Sequence, residues 1–332
     1  MTVSDERPGL ADPVRDITPL PEGRPVPLAP PADADDLPRY LHALRRLADA
    51  DDLAAAHSGC TLAVDLAGRL GSAAGLVTAY SQRSSVSRRL GRLAEAARDA
   101  EAAAELFAVS GGDPTGAAAA LLMSRRIAVL LDLGDLDCAD GLLAPSGFGG
   151  VLPDEPEFLL LRYARGRLHA EAARPGEGLA DLYRCGERLA VRRSDHPAVL
   201  PWRSAAAAVL AGLGAGEAAE RLVAEEVALT RRHGLASALG RALRIQGQVR
   251  GAEGICPAEE SIRVLRGTPR RFELAMALVD LGALLNAARR RPQARRVLRD
   301  GLELAQECGS PALVARARAL FAGKTRLAPP LR

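Results

Sequence analysis

The chain has 332 residues, 48% of them apolar and only 3% aromatic, and Lys324 is the sole lysine among 44 basic residues. Alanine, leucine and arginine, all strong helix formers, dominate, and long β-branched runs are scarce, so the composition predicts helix. The formal net charge of +3 hides an asymmetry: residues 1–228 carry 24 basic and 33 acidic side chains, residues 229–332 carry 20 and 8. A basic end of this kind suits an acidic protein partner or nucleic acid, although charge runs are more commonly solvated surface.

Several function classes are excluded early. The five cysteines, at 60, 138, 185, 256 and 308, are odd in number and widely spaced, which fits neither a disulfide framework nor a metal site and points to a reducing cytoplasm. The opening "MTVSDERPGL" is acidic where a signal peptide is basic then apolar. No uncharged apolar run approaches eighteen residues, so no membrane association is expected.

In chain order, residues 1–38 hold nine of the 22 prolines. Proline fixes φ and removes a backbone donor, so this stretch reads as a disordered, extended arm. From residue 39 to 325 the pattern turns helical and repeats. Turn signals recur at Ala48–Leu53, Gly91–Ala96, Gly134–Ala139, Arg174–Leu179, Gly214–Ala219 and Arg289–Ala294, with a weaker copy at 254–260. Residues 53, 96, 139, 179, 219 and 294 are thereby the small or apolar position of each copy. A period near 40 made of two helices and a turn predicts an α-solenoid of six or seven stacked hairpins. Acids at Asp135, Asp137, Glu177 and Glu217 suit the positive end of each second helix. Residues 326–332 read as a disordered tail.

The fullest copy, "ALVDLGALLNAARRRPQARRVLRDGLELA", resembles the tetratricopeptide repeat. Leu281 and Gly282 stand at its paired Leu-Gly, Ala294 at its small residue, and Leu298 at the usual aromatic position. Three longer segments resemble something narrower: "RGRLHAEAARPGEGLADLYRCGERLA", "HPAVLPWRSAAAAVLAGLGAGEAAERLVAEEVALTRRHG" and the stretch from Thr268 to Arg326. In order and spacing they are similar to the helical-repeat region of large ATP-dependent LuxR-type transcriptional regulators of actinobacteria. That resemblance implies a sensor and coupling region. The family's ATPase and helix-turn-helix modules have no counterpart here, so neither activity is expected of this chain.

Chemical motifs are weighed on their context. "FAGKTR" (321–326) has Arg318 where a phosphate loop needs its first glycine and lacks a preceding strand; nucleotide binding is not expected. Gly214-x-Gly216-x-x-Ala219 likewise follows a helix, not a strand. "SGFGG" (146–150) with "VLPDEP" reads as a flexible insertion. The histidines lack metal spacing and no serine has an activating frame. The expectation is therefore a non-enzyme with no cofactor and no metal.

The tetratricopeptide likeness implies a partner-binding concave face on the first helix of each hairpin, carried by Leu121, Ser124, Leu161, Ala164, Ser204, Ala208, Met276 and Val279. These are small or apolar, and no ladder of lysine, arginine and asparagine is expected there; an open groove would suit an apolar helix or small ligand, but packing between adjacent repeats is the favoured reading. Trp202 with Arg203 is either a structural anchor or a partner hot spot. Arg289, Arg290, Arg291, Arg295, Arg296 and Arg299 form a candidate basic patch, but without a recognition helix no sequence-specific DNA contact follows. The functional expectation is a regulatory module binding a protein partner or small effector. The alternatives are a free-standing interaction scaffold and the product of a truncated regulator gene.

Overall fold

The computed structural model describes residue 31, residues 36–191 and residues 195–323. Most of the proline-rich arm and the 326–332 tail, together with Lys324 and Thr325, lie outside them. Every regular element among the described residues is helical: α1 (Leu37–Asp49), α2 (Leu53–Arg69), α3 (Ala73–Leu90), α4 (Leu93–Val109), α5 (Ala117–Leu133), α6 (Leu136–Leu143), α7 (Leu159–Glu171) and α8 (Pro175–Val191) lead. They are followed by α9 (Trp202–Gly212), α10 (Gly216–Arg232), α11 (Ala236–Arg250), α12 (Ile255–Arg266), α13 (Arg271–Ala287), α14 (Arg291–Cys308) and α15 (Pro311–Phe321). Odd and even helices pair as successive antiparallel hairpins, each packed on the next, and α15 caps the last. This is an all-α solenoid. Helix α1 begins within the expected arm, at Leu37, because Pro38 occupies the first turn, where its missing N–H costs nothing.

The predicted turns fall between the two helices of each hairpin, with two corrections of register. The residue that turns the chain adopts positive φ at Asp51, Gly91, Gly134, Ala173, Gly214 and Arg289. The small position lies five residues on, at 56, 96, 139, 178, 219 and 294. The first copy thus opens at Asp51 and buries Ala56 fully. The fourth opens at Ala173 and uses Gly178, which approaches the Gly166 backbone so closely that a Cβ would lie 2.7 Å from its carbonyl oxygen. Asp51 and Ala173 escape a sequence reading that looks for glycine at turns. Asp135 caps α6 by accepting from Cys138 N–H, and Asp137, Glu177 and Glu217 occupy first turns, where the helix dipole favours them.

The segment after α6 is not a flexible insertion. Phe148 and Leu152 are buried, and Phe148 packs edge-on against Phe158 at 6.4 Å. Two buried arginines of α7 hold its backbone. Arg165 donates to the carbonyls of Phe148 (2.7 Å) and Gly150 (2.6 Å), and Arg162 to those of Leu152 (2.9 Å) and Pro153 (3.0 Å). Asp181 on α8 accepts two bonds of 2.7 Å from Arg165 and lies 3.5 Å from Arg162, which also meets Asp154 at 3.5 Å.

The superhelix closes on itself. Helices α13 and α15 pack against α3 and α5. Arg270, just before α13, donates to Asp51 in the α1–α2 turn at 2.6 and 2.9 Å, across 219 positions of sequence. Ser310, the N-cap of α15, donates its buried hydroxyl to the Asp132 carbonyl of α5 at 2.7 Å. Leu93 belongs to the same apolar cluster as α12–α15. Two glycines permit the approach: a Cβ on Gly91 would lie 2.6 Å from Cys308 Sγ, and one on Gly134 would overlap the Ala312 methyl.

Two outcomes follow. Gly134→Ala combines a left-handed backbone (φ 85°) with a clash and should lower stability by about 2–4 kcal/mol, whereas Gly141→Ala, with open space around it, should not. Urea midpoints check both. Arg165→Ala takes away both short bonds to Asp181 and the hold on the Phe148 and Gly150 carbonyls; it should cost about 3–5 kcal/mol, with new protease cleavage between residues 144 and 155.

Candidate ligand cavity

Closure turns the concave face into a cavity of about 580 Å³ lined by every odd-numbered helix. A helix alternates faces every three to four residues, so each contributes only one or two side chains per turn. From α3 these are Gln82, Ser85, Arg88 and Arg89; from α5, Ser124, Arg125, Ala128 and Asp132. Helix α7 adds Tyr163, Ala164, Arg167 and Glu171, and α9 adds Ser204 and Ala208. Helices α11 and α13 supply Arg241, Arg244, Glu273 and Met276, with Arg270 just before α13, while Arg45 and Asp49 come from α1 and Arg316 from α15.

The expected concave residues divide. Ser124, Ala164, Ser204, Ala208 and Met276 face the cavity. Leu161 and Val279 are fully buried between helices, and Leu121 is half-buried away from the lining. Trp202 packs with Leu159, Cys185 and Leu189, edge-on to Tyr183 at 6.2 Å, and its buried indole N–H finds no partner. Arg203 lies over that ring at 4.6 Å and bonds Asp195 (2.5 Å) and Glu225 (3.2 Å). Arg289, Arg290, Arg291, Arg295, Arg296 and Arg299 are all exposed on the α13–α14 turn and the first turns of α14, far from the cavity lining.

The expectation of no arginine ladder is overturned. Nine arginines line the cavity against four acids, Asp49, Asp132, Glu171 and Glu273. The acids are shared. Asp132 meets Arg88 at 2.6 Å and Arg167 at 3.6 Å. Asp49 meets Arg89 at 3.7 Å and Arg45 at 3.9 Å. Asp280, fully buried behind the wall, meets Arg316 at 2.6 Å and Arg244 at 2.8 Å; despite its burial these two cations hold its carboxyl below the usual range. Carrying the repeat's pattern over by position missed these residues. They occur at no more than two per hairpin, with none from α9–α10, and only superhelical closure gathers them. The signal available was arginine recurring on the first helix of each repeat.

Behind Ser204, Glu226 of α10 is fully buried and accepts from the Ser204 N–H and hydroxyl, both at 2.8 Å. Burial raises its carboxyl above the ordinary range, against the pull of Arg241 and the Ser204 bonds. Among the described residues no group of His, Cys, Asp and Glu is placed to hold a metal, and no helix is long and apolar enough to cross a membrane.

No family model and no curated protein matches the chain. Solved structures do. A Rap protein complexed with Competence and Sporulation Factor superposes with a TM-score of 0.64 at 11% identity, over 89% of this chain and 84% of that one. A tetratricopeptide repeat protein from Parabacteroides merdae ATCC 43184 gives 0.44 at 14% identity, over 88% and 100%. The likeness to the Rap protein places this chain among tetratricopeptide-like helical-repeat folds.

For Glu226 the sign is fixed by its raised folded-state value. Its contribution is fully present below the unfolded value of about 4.3 and is lost as pH rises through the folded one. Glu226→Gln should therefore flatten the pH dependence of stability, gaining on the wild type as pH rises above the unfolded value. A constant offset between the two urea-midpoint curves would refute this.

Proposed function

We propose that this chain is a non-enzymatic sensor that encloses a small effector or short peptide within its cavity and passes occupancy to a protein partner. The observation that carries the reading is the convergence of all the first helices on one space walled by both ends of the chain. Its volume falls in the range of about 300–1,000 Å³ typical of small-ligand sites, too small for a folded domain. A ligand touching α3, α5, α13 and α15 together would bias how the ends meet, which is what coupling requires. The Rap protein of similar fold is complexed with a factor, and a ligand-binding use suits the interior here.

The narrower reading, kinship with the sensor-coupling repeats of LuxR-type regulators, rests on the three sequence segments given above. It makes the partner an ATPase or a transcription component. A free-standing scaffold shares the cavity without that partner. The first test is native mass spectrometry of protein purified from its own cells. The wild type should carry a bound species of peptide or metabolite mass, and Ala208→Trp, which fills the cavity, should lose it. The same species retained by the filled variant would contradict the reading.

A further inference from the structure

The arginines of the cavity are not all neutralised. Counting Asp51 and Asp280 behind the wall, nine guanidinium groups face six carboxylates, three of which serve two arginines each. The deficit concentrates where α1, α3 and α5 meet. Arg88, Arg89 and Arg45 each have an acid to share, whereas Arg125 has no ion pair among the described residues and its buried Nε finds no hydrogen-bond partner. Gln82, on the same wall, has a buried Oε1 that is also unpartnered. Burial, with Arg89, Arg88 and Arg45 nearby, pushes the Arg125 guanidinium down to about 9. Burial and Arg270 push Arg89 down to about 10. A guanidinium is still charged at neutral pH, so the site holds adjacent cations, among which the half-buried Arg125 has no carboxylate of its own. Such an arrangement is costly unless something supplies the missing charge.

We propose that this corner, formed by Arg88, Arg89 and Arg125 with Arg45 beside them, binds the carboxylate or phosphate oxygens of a small anionic ligand. The proposal rests on the cavity being the ligand site and adds the chemistry it selects. The guanidinium fork matches both oxyanions in bidentate geometry, and the enclosed setting strengthens each contact. Gln82 Oε1 is an acceptor six or seven residues before Arg88 and Arg89 on α3, so the ligand presents an N–H or O–H about two helical turns, roughly 10 Å, from the anionic group they hold. The exposed arginines around Arg295 lack this enclosure and play no part.

Three probes separate the sources: citrate, tripolyphosphate, and a pool of five-residue acidic peptides, each titrated by calorimetry at constant ionic strength into the full chain. At least one should bind wild type, and the one that does identifies the source. Arg125→Met should weaken that binding at least tenfold. In chloride buffer alone the same variant should melt at a higher temperature than wild type, because it removes a half-buried cation that has no carboxylate of its own. Arg295→Met/Arg299→Met should behave as wild type. Arg125→Met melting lower, or binding the probe unchanged, overturns the proposal, as does equal loss in the surface variant. Failure of all three probes overturns it too. A neutral, C-terminally amidated peptide pool that binds wild type but not Ala208→Trp would then leave the cavity reading standing without its anion.

Discussion

Asp51 and Arg270 are 219 positions apart, yet the guanidinium donates to the carboxylate with two bonds, and around that contact the first and last hairpins of the solenoid join. Stacked hairpins need only their neighbours for stability, so nothing in the repeat itself requires the ends to touch. Here they do, through Ser310 on Asp132, Leu93 in the C-terminal core, and two glycines that leave no room for a side chain. Without this junction the odd-numbered helices would line an open groove. With it they line an interior.

An interior built this way obliges the protein to handle its polar residues differently from a groove. Arginines on an open concave face would be solvated and of little consequence. Enclosed, they compete for carboxylates, and the observed sharing of Asp49, Asp132 and Asp280 is the outcome. The same economy appears elsewhere in the chain. Arg162 and Arg165 staple an otherwise irregular segment through its carbonyls, with Asp181 as the common counter-ion. Glu226 caps the start of α9 from the neighbouring helix. Buried charge that is fully paired fixes geometry; the half-buried Arg125, without a carboxylate of its own, is where the proposed anion would complete the pairing.

The fold was legible because its signals are local. Alanine-rich helices, a turn every forty residues and a small residue after each turn are all readable within a short window, and the cap at Asp135 with the first-turn acids Glu177 and Glu217 agrees with them. Register failed where the turning residue was Asp51 or Ala173, since neither advertises positive φ. The loop after α6 was misread because its anchors, Arg162 and Arg165, come later in the chain. The cavity was legible only in part. Ser204 and Ala208 follow from helix position, but the arginines that give the site its character come from hairpins that become neighbours only on closure. Half-by-half charge counting put the basic character in the C-terminal third, while Arg45, Arg88, Arg89, Arg125 and Arg167 lie in the acidic portion.

The closure itself can be measured directly. In a background with the exposed Cys138 and Cys256 replaced by serine, Ala50→Cys and Pro269→Cys, each beside the Asp51–Arg270 pair and leaving it intact, place thiols on the first and last hairpins. A short bifunctional thiol reagent at low protein concentration should give one internally cross-linked monomer in high yield, running as a looped species on a denaturing gel. A product made only of singly modified monomer and linked dimer would mean that the ends of the solenoid do not meet, and that the enclosed arginine-lined interior does not exist.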